Sequence, residues 1–382
     1  MMDRTEPAEG RMNRRRFLEL GMSLGIVGCA SGRQGAVADR RSGGGDPRMR
    51  GPFPIMTTPY RADGSVDYAS LVREALFVSQ HGCPGVVWCQ SNDAIDLLTH
   101  DEKVRGYEEL ARALQGKEIM LTLGCNGKDA AQMVREANAV EAVAAKYPRT
   151  NLAIISRPPD SGRTQDDIRV YYEQLAAVAK RPVIIQTYVN KTCPPPDVRL
   201  LVELARRHPE TFGYIKEESE GDKANDRMVE EVAAKPTIHT VYSAWGGWQW
   251  LYQNRRCGSE GLVSERCAYA PLLSYIWRRM ENGDADGTLT QAFALYRLLI
   301  DQRGFPRGDM RGYALHYFKR LGIFSTTLTR QYLKAKAQEQ GIVAEDGSSG
   351  WRLEDLTLTD RQKAELDVCY DDMLRFCKVS DR

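Results

Sequence analysis

Short apolar runs alternate with longer amphipathic segments along most of this chain, from about residue 52 onward. Runs of this length are typical of buried strands, and the segments between them have the spacing of amphipathic helices. Eight strands interleaved with helices predict an α/β fold, a (β/α)8 (TIM) barrel, rather than a doubly wound sheet. No glycine fingerprint follows the first run, which argues further against a dinucleotide-binding fold. The eight runs are Phe53–Thr58, Gly85–Cys89, Ile119–Gly124, Leu152–Ser156, Pro182–Tyr188, Phe212–Lys216, Ile238–Ser243 and Gly261–Ser264.

After the eighth run, the sequence has helical patterns throughout. We therefore predict a barrel over residues 51–284 and a C-terminal helical extension over residues 285–382 that packs on it. The helices expected after the last strand are Leu272–Glu281, Thr288–Arg303, Met310–Leu321, Thr329–Gln340 and Asp360–Cys377.

The first fifty residues differ in charge from the rest of the chain. They contain ten Arg, no Lys and six acidic residues, a net charge of +4, whereas the whole chain has a net charge of +2. The remainder is therefore close to neutral, at −2. A body of this charge lacks the basic surface that binding to nucleic acid requires.

The basic excess belongs to a segment that is typical of a targeting signal. Three consecutive arginines, Arg14–Arg16, precede a Phe-Leu pair and a short apolar run. This pattern resembles a twin-arginine export signal over residues 1–29, and the sequence up to Cys29 resembles a lipobox whose cysteine is acylated after cleavage. Residues 30–50, rich in Gly, Arg and Ser, are predicted to form a flexible linker. We expect a periplasmic protein or a membrane-anchored lipoprotein; the alternative is a disordered basic tail.

Cysteine and histidine give no sign of a metal site. The chain has nine cysteines without a CxxC pair, and five histidines without metal-ligand spacing. No metal or other cofactor is therefore expected. Most of the cysteines lie in apolar runs and are expected to be buried thiols, although export would also permit a disulfide.

One lysine lies at the position where barrels of this kind have their active sites. The sixth run, Phe212–Lys216, delivers Lys216 to the C-terminal end of its strand, and active sites of such barrels lie at that face. Burial at an apolar strand end penalises the ammonium form of a lysine, and the neutral amine is a nucleophile towards a ketone carbonyl. The alternative is a lysine that extends along the strand end into solvent.

Motifs around this lysine resemble one known family over roughly residues 51–330. The motifs, in chain order, are Thr58–Tyr60, Asp63–Asp67, Gly82–Asn92, Leu98–Glu102, Gly124–Asn126, Ile215–Glu217, Gly258–Ser264 and Lys319–Gly322. They resemble the dihydrodipicolinate synthase and N-acetylneuraminate lyase family of class I aldolases. The resemblance implies a (β/α)8 barrel with C-terminal helices, a homotetramer or homodimer, and a Schiff base between Lys216 and a small 2-keto acid such as pyruvate.

The resemblance also implies groups that bind the keto acid carboxylate and move a proton. The family's Gly-Thr-Thr-Gly-Glu loop after strand two corresponds here to Gln-Ser-Asn-Asp-Ala, so Ser91 and Asn92 become the candidate carboxylate cradle; an ordinary polar loop is the alternative. The family's strand-five tyrosine maps to Tyr188 or to Gln186, depending on the direction of counting. We favour Tyr188 as the proton shuttle because a phenol transfers a proton and an amide does not.

Two cations near the predicted barrel mouth are candidates for binding a second anionic group. Arg157 follows strand four, where it is equally suited to a surface ion pair, and Lys191 follows strand five. An exported enzyme would not meet the cytoplasmic substrate of lysine biosynthesis. The sequence therefore predicts a Schiff-base aldolase or dehydratase for a pyruvate-type or sugar-derived 2-keto acid, not the lysine-biosynthetic synthase. The alternative is a catalytically weakened barrel that binds a carbohydrate acid.

A tryptophan cluster after strand seven has two interpretations. Trp245, Trp248 and Trp250 could stack on a sugar or aromatic substrate at the barrel mouth, or they could pack against helices or another subunit. We favour packing.

Overall fold

The computed structural model describes residues 45–90, 97–188, 193–220, 222–264, 267–301, 312–330, 332–333, 336 and 357–380. Eight short strands lie within these ranges, and each is buried along its whole length. Burial on both faces explains why these segments are apolar without alternation. The strands are β1 (Gly51–Pro54), β2 (Gly85–Trp88), β3 (Met120–Gly124), β4 (Leu152–Ser156), β5 (Val183–Gln186), β6 (Tyr214–Lys216), β7 (Thr240–Tyr242) and β8 (Gly261–Ser264).

The strands form a closed ring in chain order. β2 to β7 pair consecutively in one parallel sheet, and β1 pairs in parallel with β8. Two parallel bridges join these sheets, one between Ile55 and Val87 and the other between Ser243 and Leu262. The main-chain N–H of Met56 also donates to the Val87 carbonyl at 2.8 Å. The predicted (β/α)8 barrel with C-terminal helices is confirmed.

Side chains from alternate strand positions fill the barrel. Ile184 on β5 and Tyr214 on β6 belong to one buried interior cluster. Because side chains two residues apart share a strand face, Gln186 and Lys216 continue this interior at the C-terminal end. The interior cluster consists of Met49, Phe53, Ile55, Val87, Met120, Ala153, Ile155, Ile184, Tyr214, Tyr242 and Val263.

Helices follow the strands and cover the ring. Two of them begin at capping boxes. The Thr99 hydroxyl accepts a hydrogen bond from Glu102 N–H, and the Thr164 hydroxyl accepts one from Asp167 N–H. Such a Thr-x-x-acid pattern satisfies N–H groups that the first helical turn leaves without partners. The helices are α1 (Tyr68–Gln80), α2 (His100–Leu114), α3 (Ala130–Lys146), α4 (Gln165–Ala176), α5 (Val198–Arg207), α6 (Lys223–Ala233), α7 (Trp250–Tyr252, continued by a π-helical turn over Gln253–Cys257) and α8 (Ala270–Asn282).

Three further helices follow the barrel within the described residues: α9 (Leu289–Asp301), α10 (Gly312–Arg320) and α11 (Asp360–Ser380). Tyr269, just before α8, makes ring contacts with Tyr296, Tyr317 and Tyr370, one from each of these helices. The Tyr370 hydroxyl also donates to the Ala268 carbonyl at 3.0 Å. The C-terminal helices therefore pack against the last helix of the barrel.

The segment before β1 is held by contacts. Met49 is fully buried in the barrel interior, and its carbonyl accepts a hydrogen bond from the Tyr242 hydroxyl at 2.6 Å. Asp46 N–H donates to the Tyr214 hydroxyl at 2.7 Å. For residues 45–50 the prediction of a flexible linker is therefore wrong, because these residues plug the N-terminal end of the barrel.

The predicted export signal, Cys29 and the linker up to residue 44 lie outside the described residues. Among the residues that are described, no helix combines the length and the apolar character needed to cross a bilayer. Cys83, Cys89 and Cys267 are buried as expected, and burial raises the pKa of the Cys83 thiol well above its usual range.

Candidate functional site

Lys216 is the last residue of β6 and lies inside the C-terminal mouth of the barrel. It pairs in register with Gln186 on β5 and Tyr242 on β7. Its side chain is only 1% exposed, which excludes the alternative of a lysine that extends into solvent. Its Nζ lies 3.1 Å from Oε2 of Glu218, whose side chain is 6% exposed. The amine is thus buried, as the sequence predicts, but it has a carboxylate neighbour that the apolar strand did not suggest.

Glu218 ends a chain of buried side chains that crosses the barrel mouth. Gln90 Nε2 donates to Gln186 Oε1, and Gln186 Nε2 donates to Glu218 Oε2. Gln90 and Gln186 are at most 1% exposed. This bonding fixes the orientation of the Gln186 amide, because its N–H is directed at the carboxylate and its carbonyl at Gln90. Side chains that follow β2, end β5 and follow β6 are therefore linked to the Lys216 amine through Glu218.

A second set of bonds fixes the backbone that carries Glu218. Thr187 Oγ1 accepts from Glu218 N–H at 2.7 Å and lies 3.2 Å from Glu217 Oε1, to which it donates. Glu217 also accepts from Ser219 N–H at 2.7 Å and from Arg227 Nε at 3.2 Å. Successive strand residues face opposite ways, so Glu217 ties the strand end to α6 while Lys216 and Glu218 face the barrel mouth.

Tyr188 lies beyond the end of β5 and is 37% exposed. It lines a cavity of about 600 Å³ at the mouth, together with Glu218. Of the two sequence candidates, Gln186 is the residue connected to Lys216, through Glu218, whereas Tyr188 lies on the cavity wall. A proton-transfer role for Tyr188 stays a prediction. The cavity is lined by Thr187, Tyr188, Cys193, Pro195, Glu218, Ser219, Glu220, Lys223, Arg227 and Trp245.

Arg157 follows β4, and its side chain is 12% exposed. Its two terminal nitrogens donate to Asp160 at 2.8 and 3.3 Å. This is the ion pair that the sequence offered as the alternative to anion binding. Ser91, Asn92 and Lys191 lie outside the described residues, so the carboxylate cradle and the second cation stay predictions.

No three His, Cys, Asp or Glu side chains are grouped to hold a metal ion within the part of the chain that the structure describes. The expectation that neither a metal nor another cofactor is needed stays a prediction.

Comparisons with known proteins agree with this geometry. No family model matches the chain. The 4-hydroxy-tetrahydrodipicolinate synthase of Moorella thermoacetica is 24% identical over 188 residues, which are 49% of this chain and 61% of that protein. The synthase of the same name from Methanococcus aeolicus is 24% identical over 171 residues, 44% of this chain and 53% of that protein. The chain thus matches between half and two thirds of the length of these curated relatives.

Solved structures match over almost their full length. The sialic acid aldolase of Ruminococcus gnavus has a TM-score of 0.70 at 13% identity, covering 87% of this chain and 99% of the aldolase. The N-acetylneuraminate lyase of Proteus mirabilis has a TM-score of 0.63 at 15% identity, covering 85% and 98%. YagE of E. coli K12, solved in complex with pyruvate, has a TM-score of 0.68 at 15% identity, covering 85% and 98%.

This chain is similar to proteins of the dihydrodipicolinate synthase and N-acetylneuraminate lyase family. The resemblance found in the sequence is therefore confirmed, and the family is one of Schiff-base class I aldolases and lyases. At these identities the solved structures establish the fold, and the reaction of this chain is a matter for proposal.

The sequence interpretation missed two residues of this site, Glu218 and Gln90, and the structural role of Gln186. The alternation of side chains along a strand was a signal for Glu218, because Glu218 lies two residues beyond Lys216 and shares its face. Gln186 is level with Lys216 in the β5–β6 register, which only the paired strands reveal. Gln90 had no local signal, since its partner lies 96 residues away.

Proposed function

We propose that this protein is a Schiff-base-forming lyase that acts on a pyruvate-type or sugar-derived 2-keto acid by aldol cleavage or dehydration. The observation that supports this most is the Lys216–Glu218 pair, in which Nζ and Oε2 lie 3.1 Å apart at the barrel mouth. An amine nucleophile needs a base that accepts its proton, and a carboxylate within hydrogen-bond reach supplies one. Lys216 is the nucleophile and Glu218 is its acid–base partner.

The first stage forms the imine. Glu218 accepts a proton from the Lys216 ammonium group, and the free amine attacks C2 of the keto acid. A second nitrogen proton passes to the carbonyl oxygen of the resulting carbinolamine. Glu218 then returns its proton to this hydroxyl, which leaves as water while the nitrogen lone pair forms the iminium. Glu218 thus begins and ends the stage as a carboxylate.

The second stage uses the iminium as an electron sink. In aldol cleavage, the C4 hydroxyl loses its proton and the C3–C4 bond breaks, so that C4 leaves as an aldehyde and the bond's electrons form an enamine. In dehydration, C3 loses a proton to form the enamine, which then expels the C4 hydroxyl as water and becomes a conjugated iminium. We assign to Tyr188, which lines the cavity, the exchange of a proton with the distal hydroxyl or the leaving group. Ser91 and Asn92 are the proposed carboxylate cradle, and Lys191 is the candidate cation for a further anionic group.

Reductive trapping tests the imine directly. The protein is incubated with pyruvate and borohydride, and the adduct is located by peptide mass spectrometry. We expect a reduced adduct on Lys216, and none in Lys216→Gln. Turnover is then measured on pyruvate-derived and sugar-derived keto acids, with and without a chelator. Unmodified Lys216, or turnover that the chelator abolishes, would contradict the proposal.

A catalytically weakened barrel that binds a carbohydrate acid is the second candidate. It is favoured by one arrangement: the Lys216 amine is held by Glu218, and an amide, Gln186, occupies the position next to the lysine. Trapping without turnover on every keto acid of the panel would support this candidate over the lyase.

We further propose export by the twin-arginine route, with a periplasmic or lipid-anchored product. The double change Arg14→Lys and Arg15→Lys should retain the protein in the cytoplasm. Cys29→Ser should release a lipid-anchored form from membranes. Unchanged fractionation of the arginine variant would refute export by this route. Export would also separate the enzyme from lysine biosynthesis.

A homotetramer or homodimer is proposed from the family alone. Light scattering coupled to size-exclusion chromatography tests this, and a monomer at all concentrations would contradict it.

A further inference from the structure

The three tryptophans after β7 have different environments. Trp250 is fully buried in the core. Trp248 is half-buried, and the Arg297 guanidinium lies over its ring at 4.6 Å from the centroid. Trp245 is 42% exposed and lines the cavity that contains Glu218. Packing, the interpretation favoured from the sequence, therefore holds for two of the three side chains but leaves Trp245 facing solvent.

The backbone at Trp245 has an unusual conformation. Its φ is +51°, and Gly246 and Gly247 follow with φ of +68° and +76°. Glycine adopts such angles readily, whereas for a bulky side chain they are uncommon and often mark a functional site. Glycine would suit this position better than tryptophan, so the indole is present here despite the backbone preference for glycine.

Contacts on both sides hold the loop in this conformation. The Trp245 indole N–H donates to the Ser219 carbonyl at 2.9 Å, next to the strand end that carries Glu218. On the other side, the Tyr296 hydroxyl from α9 donates to the Gly246 carbonyl at 2.6 Å. Arg297 Nη1 donates to the Trp248 carbonyl at 3.0 Å. The exposed ring is therefore rigidly presented, which lowers the entropic cost of binding a ligand on it.

Trp245 also joins two cavities. The one of about 600 Å³ contains Glu218, and a neighbouring one of about 300 Å³ is lined by Trp248, Gln249 and Gln253 among others. Trp245 and Glu220 line both. Volumes of this size accommodate ligands far larger than a three-carbon keto acid. The space beyond the reacting carbons thus has an aromatic face and a carboxylate that can accept hydrogen bonds.

We propose that Trp245 is a stacking platform for a ring carried on the distal part of the substrate. The inference rests on the proposed Schiff-base function, in that Lys216 holds the keto acid end of the same molecule. The ligand class is a 2-keto acid whose C4 substituent contains a ring with a flat apolar face, either aromatic or a pyranose. An indole face gives its full contact area to such a ring and little of it to an open chain.

The test compares borohydride trapping of four keto acids on Lys216. They are pyruvate, 4-hydroxy-4-phenyl-2-oxobutanoate, a 2-keto acid bearing a pyranose at C4, and an open-chain six-carbon 3-deoxy-2-keto sugar acid. The concentration for half-maximal trapping is measured for wild type, Trp245→Ala and Trp245→Phe. Tyr252→Ala is the matched control, since Tyr252 is an aromatic side chain 55% exposed outside both cavities.

For at least one ring-bearing acid, we expect Trp245→Ala to raise the half-maximal concentration about tenfold more than it does for pyruvate. Trp245→Phe should recover most of this loss, and Tyr252→Ala should match wild type. The ring that depends more on Trp245 identifies the substrate class. Three results would overturn the inference. Trp245→Ala could raise the half-maximal concentration equally for pyruvate and both ring-bearing acids, it could raise it most for the open-chain acid, or Trp245→Phe could fail to recover the loss.

A binding measurement separates this inference from the proposed chemistry. Lys216→Gln is titrated with the phenyl-bearing acid by saturation-transfer NMR, alone and combined with Trp245→Ala. If wild type forms no adduct, but Lys216→Gln binds the ring and loses this binding on Trp245→Ala, the lyase is refuted and the stacking platform stands. Adduct formation in wild type, without any ring binding that depends on Trp245, would refute the platform alone.

Discussion

Two buried lysine–glutamate pairs in this molecule have similar burial but different surroundings. Lys216 and Glu218 lie 3.1 Å apart at the barrel mouth, with side chains 1% and 6% exposed. Lys103 on α2 and Glu136 on α3 lie 3.6 Å apart, with side chains 6% and 1% exposed. Burial and a paired carboxylate, taken alone, therefore do not identify a reactive lysine.

The groups around each pair make the difference. Glu136 also lies 3.3 Å from His100 Nδ1, between two helices of the outer layer. Glu218 is instead held by Gln186 and lines a cavity of about 600 Å³, so a substrate can approach it. The Lys103–Glu136 pair ties two helices together, whereas the Lys216–Glu218 pair places an amine beside a carboxylate at a site that a ligand can enter.

Replacing the two lysines should separate the pairs most clearly. Lys216→Gln removes the nucleophile, and we expect turnover to fall at least about a thousandfold. Lys103→Gln leaves Glu136 without its lysine, so the free energy of unfolding should fall by about 3–5 kcal/mol while adduct formation persists. Steady-state kinetics and urea unfolding of both variants check this. Loss of adduct in a folded Lys103→Gln protein would undermine the comparison.

Replacing the two carboxylates is expected to have the next largest effect. Glu218→Gln keeps the shape of the side chain but removes the proton acceptor, so imine formation should slow by about 10²–10⁴-fold. Glu136→Gln is the matched control and should trap pyruvate at the wild-type rate. Single-turnover trapping measures both. Similar rates for the two variants would mean that Glu218 only neutralises charge.

Gln186 and Tyr188 should affect different stages. Gln186→Leu removes the donor that orients Glu218, and we expect imine formation to slow by about tenfold. Tyr188→Phe should leave trapping intact while turnover falls by about tenfold to a hundredfold, because a proton shuttle acts after the imine has formed. Trapping rates and turnover measured side by side separate these stages. Wild-type turnover of Tyr188→Phe would return the tyrosine to a packing role.

A third ion pair, between Glu102 and Arg330, is partly exposed and should have the smallest effect. Its hydrogen bond to Arg330 lowers the pKa of Glu102 to about 2, from about 4.3 in an unfolded chain. A lowered carboxyl pKa stabilises the fold fully above pH about 4.3, and this contribution is lost as the pH falls towards 2. Glu102→Gln should therefore reduce the free energy of unfolding by about 1 kcal/mol or less at pH 7.

Unfolding of Glu102→Gln and wild type at pH 7 and near pH 3 checks this sign. The difference between the two proteins should shrink in acid. A difference that grows in acid would contradict the assignment.

The fold could be predicted because its signals are local. Leu152–Ser156 and Gly261–Ser264 are apolar runs with polar boundaries, and both match observed strands residue for residue. The first strand is displaced: it covers Gly51–Pro54 rather than Phe53–Thr58, and Thr57 N–H donates to Glu74 rather than to a neighbouring strand. A pattern of apolar residues gives no sign of this bond between a main-chain N–H and a side chain on α1.

The site could be predicted only in part for a related reason. Lys216 stands at a strand end, which sequence position reveals. Its proposed acid–base partner and the two glutamines come from different strands of the barrel and bond across separations of 32 and 96 residues. Register between distant strands fixes those contacts, and one sequence does not specify it.

The central claim, that Lys216 and not merely any buried lysine forms the imine, is tested most directly in a single digest. Wild-type protein is reduced with borohydride in the presence of pyruvate, and the modified fraction is quantified at Lys216 and at Lys103. The account predicts nearly complete modification of Lys216 and none of Lys103. Equal modification of the two lysines, or an adduct that avoids Lys216, would contradict it.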